Sequence, residues 1–464
     1  MVKFSIVLPL GEYLRLGKLS EYTNHLQINL HTPACLLYTR YGSVPFLPPD
    51  IYEEIEQLPE FSFASMGYVA ERKFALTKFG KGLAEFSGLR KRGVVLFQSD
   101  PTHLATVAAV GKSSIPVWTT GGRLQLSVKE YSICSKIASP IAFQAPTDNE
   151  TFLLDVNPTL KRVKNSVTRT SGYLKELVSE YTSNKIIESI SRSLSHSNRI
   201  RSLGFISLPW NLLEELAKKS LLVSIAGGYN LQLRLQSVAE TDFSLCSGVV
   251  IDGLLQDLPV SSVEAREDTD ENKSLKEFLT VTLPKVFAEI PPHLPRFITQ
   301  IWQPLDITLA ARSGCDIFDG SLPYRLSRSG IGWIYKDWDE TNPLSVISDI
   351  RFLEFPLKES HKLHEKEQYL PIQKGCNCFT CLHHSQIYIS HLHITQEMLA
   401  PMLLMIHNSH QCYRFFSDLR RAITVNKVDL FVTHASNWYF PPNLLTIDKT
   451  NEFKSTVNTD HDDV

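Results

Sequence analysis

Short apolar, β-branched runs recur along the first two-thirds of the chain, each bounded by polar turns. Arg92–Gln98 (RGVVLFQ), Leu203–Leu208 (LGFISL), Leu222–Ala226 (LVSIA) and Phe243–Ile251 (FSLCSGVVI) are the clearest, and they predict buried strands. Between them, Tyr173–Leu194 and Pro209–Lys219 carry apolar residues at three- and four-residue spacing, which predicts helices. Strand and helix alternating at this pitch predict a parallel α/β fold, either an open sheet or a closed barrel. A longer helical stretch, Gln396–Ile423, follows near the C-terminus. There is no internal repeat of the kind that marks a solenoid.

Three stretches break the pattern. Glu264–Lys273 (EAREDTDENK) is charged and unpatterned and predicts an acidic solvated insertion. Lys358–Glu367 (KESHKLHEKE) is similar, and a subdomain boundary is expected there. The chain therefore divides into a core over 1–357, a subdomain over 358–440 and a polar tail over 441–464, the last expected to be partly disordered.

Composition narrows the class. The 464 residues are 43% hydrophobic, which excludes a mainly disordered chain and allows a large core without help from disulfides. With 47 Lys+Arg against 49 Asp+Glu, the net charge of −2 argues against a generic polybasic nucleic-acid binder. The apolar run Phe4–Leu10 is short, holds a proline and lacks a small-residue cleavage site, so no signal peptide is expected. A soluble, cytoplasmic protein with reduced thiols follows as the expectation.

In such a compartment, clustered cysteines point to metal. Cys376, Cys378 and Cys381 form C-N-C-F-T-C, a knuckle that can present three thiolates to one zinc ion, and zinc requires a fourth N or S ligand. His407, on the apolar face of the long helical stretch, could reach the knuckle if that helix packs over it. Spacing alone leaves His383, His384, His391 and His393 as competitors. A fully protein-ligated site of this kind is structural rather than catalytic. The other five cysteines, Cys35, Cys134, Cys246, Cys315 and Cys412, are scattered, as apolar fillers are.

C-x-C-x-x-C, followed by Tyr388, His391-Leu392 and His407-Asn408, resembles the zinc subdomain of the tRNA-guanine transglycosylases. The stretch Gly314–Gly330, GCDIFDGSLPYRLSRSG, is similar to that family's G-x-D-x-F-D-x-x-x-P-x-R-x-x-R-x-G segment, and Thr32-Pro33-Ala34 with Gly42 matches its opening strand. The likeness runs from about residue 15 to residue 425. It implies a (β/α)8 TIM barrel with an added zinc subdomain, one structural Zn2+ per chain, and His407 as the fourth ligand. It also implies tRNA as a partner, with Arg325 and Arg328 matching arginines that contact it. Arg414, Arg420 and Arg421 are either further tRNA contacts or a solvated helix face.

Family enzymes exchange a guanine of tRNA for a modified base, in eukaryotes queuine, at wobble position 34 of the GUN anticodons of the Asp, Asn, His and Tyr tRNAs. An aspartate attacks the ribose as guanine leaves, and another carboxylate reads the edge of the extruded base. The nucleophile position falls on Asp319. The family's second aspartate, in T-D-S-G-G, corresponds to Thr119 of V-W-T-T-G-G, whose hydroxyl is no ready acid or base, and the aromatic position after it holds Arg123. The base-reading aspartate corresponds to Gln144, an amide in place of paired acceptors. The family's G-G-L-A-V-G-E loop is replaced by Asp252–Leu258, DGLLQDL.

A whole zinc site beside altered pocket positions implies a non-catalytic accessory subunit, with Asp319 a vestige. Such a chain would form a heterodimer with a catalytic subunit of the same fold, and the resemblance implies that the zinc subdomain and its long helix make the dimer interface. Peripheral association with the mitochondrial outer membrane is a further family implication. Two alternatives stand: an active transglycosylase using Asp319 as nucleophile, and a zinc-knuckle RNA- or protein-binding module on another α/β scaffold.

Overall fold

The computed structural model describes residues 3–10, 13–23, 26–89, 91–103, 114–149, 159–182, 221–254, 275–341, 352–357 and 369–440. Eight parallel strands close a barrel: β1 (Ala34–Cys35 continuing as Leu37–Tyr38), β2 (Phe61–Ser65), β3 (Gly93–Phe97), β4 (Ala142–Gln144), β5 (Leu221–Ile225), β6 (Gly248–Ile251), β7 (Arg296–Ile298) and β8 (Ile317–Phe318). Each pairs with the next, and β8 returns to the first half of β1, with Ile317 opposite Ala34. Closure leaves no open sheet edge, and it explains why β3 is apolar throughout and β5 everywhere but Ser224: one face looks into the barrel and the other under the helices. Phe97 on β3 meets Phe297 on β7 at 6.1 Å between ring centroids, and Phe63 stacks on Phe97 at 5.0 Å, so aromatic rings fill the interior.

The expected strand Phe243–Ile251 is shorter than its apolar run suggests. Asp242 accepts from the Ser244 N–H and hydroxyl and caps a single 3-10 turn, Phe243–Leu245, so the strand begins only at Gly248. The helix expected from Tyr173 starts earlier, spanning Leu160–Thr182. Leu203–Leu208, Pro209–Lys219, Glu264–Lys273, Lys358–Glu367 and the tail 441–464 lie outside the described residues.

An N-terminal meander (Lys3–Leu10, Leu14–Thr23, Leu26–Thr32) covers the end of the barrel where strands begin. It is pinned there by Arg15, which pairs with buried Asp316 at 2.5 Å and donates to the carbonyls of Pro292 and Leu294. The opposite end, where strands finish, is left for the functional residues, as is general for this fold. After β8 the chain makes the helix Leu322–Arg328, a hairpin (Ile331–Trp333 with Phe352–Glu354), the cysteine knuckle, the helix Gln386–Ile394 and the long helix Leu399–Thr424. The knuckle has a small core of its own, made with Phe355, Ile372, Ile389, Leu392, Leu403 and Leu404.

Candidate functional site

The long helix brings the knuckle and an imidazole together. Cys376, Cys378, Cys381 and His407 are all buried, and their ligand atoms lie within 4.8 Å of one another. His407 Nδ1 is 3.9 Å from Cys376 Sγ, 3.5 Å from Cys378 Sγ and 3.3 Å from Cys381 Sγ. A tetrahedron with Zn–S and Zn–N bonds of ordinary length has S···N edges of about 3.5 Å, so these four side chains fit that ion. His407 Nε2 donates to the Trp333 carbonyl at 2.8 Å, which leaves Nδ1 as the lone-pair nitrogen facing the sulfurs. Trp333 is itself held by Asn408, whose Oδ1 accepts from its N–H and whose Nδ2 donates to Ser327 and to the Ile331 carbonyl. The pair His407-Asn408 thus aims the imidazole and ties the hairpin to the helix.

Close packing couples the thiols: hydrogen bonds with Cys378 and Cys381 hold Cys376 far below an ordinary thiol, while those with Cys376 and Cys381 push Cys378 up. The competing histidines lie elsewhere: His383 and His391 are exposed, His384 is half-buried against Tyr388, and His393 stacks on Phe355. Burial pushes Cys134 up to about 11 and Cys246 up to about 12, so neither is a thiolate at neutral pH.

At the barrel mouth, the polar groups are spent on one another. Gln144, 2% exposed at the end of β4, accepts from the Gln98 N–H at 2.9 Å. Its amide nitrogen donates to Ser224 Oγ at 3.0 Å and to Asp252 Oδ2 at 2.5 Å. Asp252, at the end of β6, is buried; it also accepts from the Gly253 N–H and from Asn149. Burial raises the Asp252 carboxyl and these donors oppose it. Gln144 and Asp252 therefore form a closed tie across β4, β5 and β6. The remaining Leu255–Leu258 of that loop lie outside the described residues.

Asp319, just past β8, is 3% exposed. One oxygen accepts from the Ser321 N–H (2.8 Å) and hydroxyl (2.6 Å), the other from the Gln300 N–H (2.7 Å). Gly320 follows at φ +75°, where a Cβ would stand 1.9 Å from the Leu36 carbonyl, so only glycine allows this turn. Burial raises the Asp319 carboxyl, against those donors and the charge of Arg325. Thr119 stands apart, in the turn of the hairpin Ile115–Thr119/Gly122–Leu126, its hydroxyl donating to the Gly122 carbonyl at 2.8 Å.

The arginines divide. Arg325 is fully buried with its guanidinium carbon 3.8 Å from the Trp302 ring centroid, so in this structure it offers nothing to a phosphate. Arg328 is half-buried and shares the Tyr324 hydroxyl with Arg40, at 3.1 and 2.6 Å. Arg414, Arg420 and Arg421 make internal ties, to Gln411 and Asp337, to the Pro33 carbonyl, and to Asp418 and the Trp338 carbonyl respectively.

A closed parallel β/α barrel carrying a Cys3His centre beneath a long C-terminal helix defines the class. The sequence model of one such family, described as queuine tRNA-ribosyltransferase, matches residues 12–440, and the chain belongs to that family. Among its relatives, queuine tRNA-ribosyltransferase accessory subunit 2 of Homo sapiens is 26% identical over 447 residues, covering 90% of this chain and 94% of that protein. The protein of the same name from Xenopus tropicalis is 25% identical over 444 residues (89% and 94%), and that from Ixodes scapularis 28% over 397 residues (84% and 89%).

Proposed function

We propose that this chain is a non-catalytic accessory subunit that forms a heterodimer with a catalytic queuine tRNA-ribosyltransferase of the same fold. It supports exchange of guanine for queuine at wobble position 34 of tRNAs with GUN anticodons. The observation that carries this reading is the self-satisfied barrel mouth. A base-reading side chain must have free acceptors, and a nucleophilic carboxylate needs an open lone pair in reach of the ribose. Here the Gln144 amide is committed at both ends, and the Asp319 carboxylate is held on buried backbone at 3% exposure, so neither is open to a base or a ribose. Replacement of two family aspartates by Thr119 and Gln144 points the same way.

The zinc subdomain supplies what a partner needs. Tyr369, Phe379, Leu382, Ile394 and Met398 are 75, 52, 63, 67 and 78% exposed, and these apolar side chains of the subdomain are the candidates for burial against a partner. Helix Gln386–Ile394 is apolar on two faces: Ile389 and Leu392 point into the small core, while Ile387 and Ile394 point out. Cys376, Cys378, Cys381 and His407 would hold one Zn2+, and the bound ion would brace the surface that carries these side chains.

The test is incorporation of labelled guanine into tRNA by the purified chain, alone and mixed with a catalytic subunit. Exchange is expected only in the mixture. Exchange by the chain alone would restore Asp319 as a nucleophile and overturn the proposal.

A further inference from the structure

A second layer of polar residues lies behind the Cys3His set. Four ligands of which three are thiolates leave a zinc centre with a net negative charge, and burying that charge is costly without donors to the sulfurs. Gln411 lies one helical turn beyond His407 and is fully buried. Its Nε2 is 3.1 Å from Cys376 Sγ. Its Oε1 accepts from Arg414 Nη1 at 3.3 Å, and Arg414 is paired in turn with Asp337. The direction of the amide is chemically forced: turned over, it would set a carbonyl oxygen against the sulfur and an NH2 group against a guanidinium.

We propose that Gln411 and Arg414 are positioning residues of the metal centre, a relay that brings a guanidinium's positive charge to the Cys376 thiolate and slows loss of the ion. His407, Gln411 and Arg414 occupy positions i, i+4 and i+7, one stripe of the long helix, so ligand, donor and charge are set by a single element. Arg414 and Asp337 also line a cavity of about 510 Å3 with Trp338, Asp418 and Arg421. The outer end of the relay therefore meets solvent while its inner end stays dry.

This inference rests on reading the four-residue cluster as a zinc centre, and the test separates the two. Zinc content of the full chain and its release rate to a chelator with a colour-forming metal indicator are measured for the wild type, Gln411→Met and Arg414→Met. Methionine keeps the length of Gln411 and the apolar stem of Arg414, and it removes the donors of both. Gln411→Met is expected to release zinc about 10- to 100-fold faster, the range usual for outer-layer partners, and Arg414→Met a few-fold faster. In the cobalt-substituted chain, Gln411→Met should also shift the sulfur-to-metal charge-transfer band, which a loss of packing alone would not move. Wild-type release rates and an unshifted band in Gln411→Met would overturn the relay. Absence of stoichiometric zinc from the wild-type chain would overturn the centre and the relay with it.

Discussion

At the scale of single residues, the same side chain reads differently once its partners are known. Asp319 sits where a nucleophile is expected, yet its three donors make it a clamp that joins the ends of β7 and β8. Asparagine at this position has one acceptor oxygen, so either orientation turns its NH2 toward a backbone N–H. Asp319→Asn should therefore lower stability by about 1–3 kcal/mol, read by equilibrium denaturation. Guanine exchange by the reconstituted heterodimer should be unchanged, and a collapse of exchange with stability intact would make Asp319 catalytic. The cysteine knuckle was legible because its spacing is local. The Gln144–Asp252 tie was not, since it joins residues far apart in the chain that only barrel closure brings together. Arg325 shows the limit from the other side: a positive charge in a motif does not reveal that its helix turns it onto Trp302. Gln411 carries a weaker signal: it lies one turn beyond a candidate ligand, but within the polar run His407–Gln411, where spacing alone singles out no member.

Elements were legible in proportion to how much of their environment is encoded locally. Strands β3 and β5 stand out because both faces are buried, which forces an apolar run broken only by Ser224. β8 is only Ile317–Phe318, too short for any periodicity, and it is defined by its register with Phe297 and Ala34. The helix Val428–Ala435 adds a pH response. His434, buried among Tyr335, Phe431 and Trp438, donates from Nε2 to the Lys336 carbonyl at 3.1 Å. Burial lowers its pKa to about 4. An unfolded histidine takes up its proton near pH 6.5, so between about 6.5 and 4 the unfolded chain binds a proton that the folded chain refuses. Stability is therefore lost as pH falls through this window, by on the order of 3 kcal/mol in total. His434→Phe, which keeps an aromatic ring there, should flatten that acid limb while costing about 1 kcal/mol at neutral pH for the lost hydrogen bond. Denaturation midpoints at a series of pH values check this, and equal slopes for the two proteins would exclude His434 as the cause. Acid release of metal affects both proteins and cancels in the difference.

For the whole molecule, a charge balance near zero argued against nucleic acid when the chain is taken alone, and the fold changes what that balance means. A subunit of the proposed kind needs affinity for its partner first, and four of the most exposed large apolar side chains, Tyr369, Leu382, Ile394 and Met398, sit on the cysteine-knuckle subdomain. Stable interfaces concentrate their energy in a few apolar anchors within a patch of about 1,200–2,000 Å2 in total. Leu382→Asp combined with Met398→Asp places two carboxylates on this surface at positions 63 and 78% exposed, where they disturb no core contact. The double variant should keep its zinc and its unfolding midpoint, yet bind the catalytic subunit at least about 10-fold more weakly, as the loss of one or two anchors does. Phe74→Asp is the control: that side chain is 73% exposed on the short helix Lys73–Phe79 of the barrel's outer shell, so it should leave pairing untouched. Sedimentation of the mixed subunits decides the matter. Full-strength pairing by the Leu382/Met398 variant would move the partner surface off the zinc subdomain, and weakened pairing by Phe74→Asp would move it to the barrel shell.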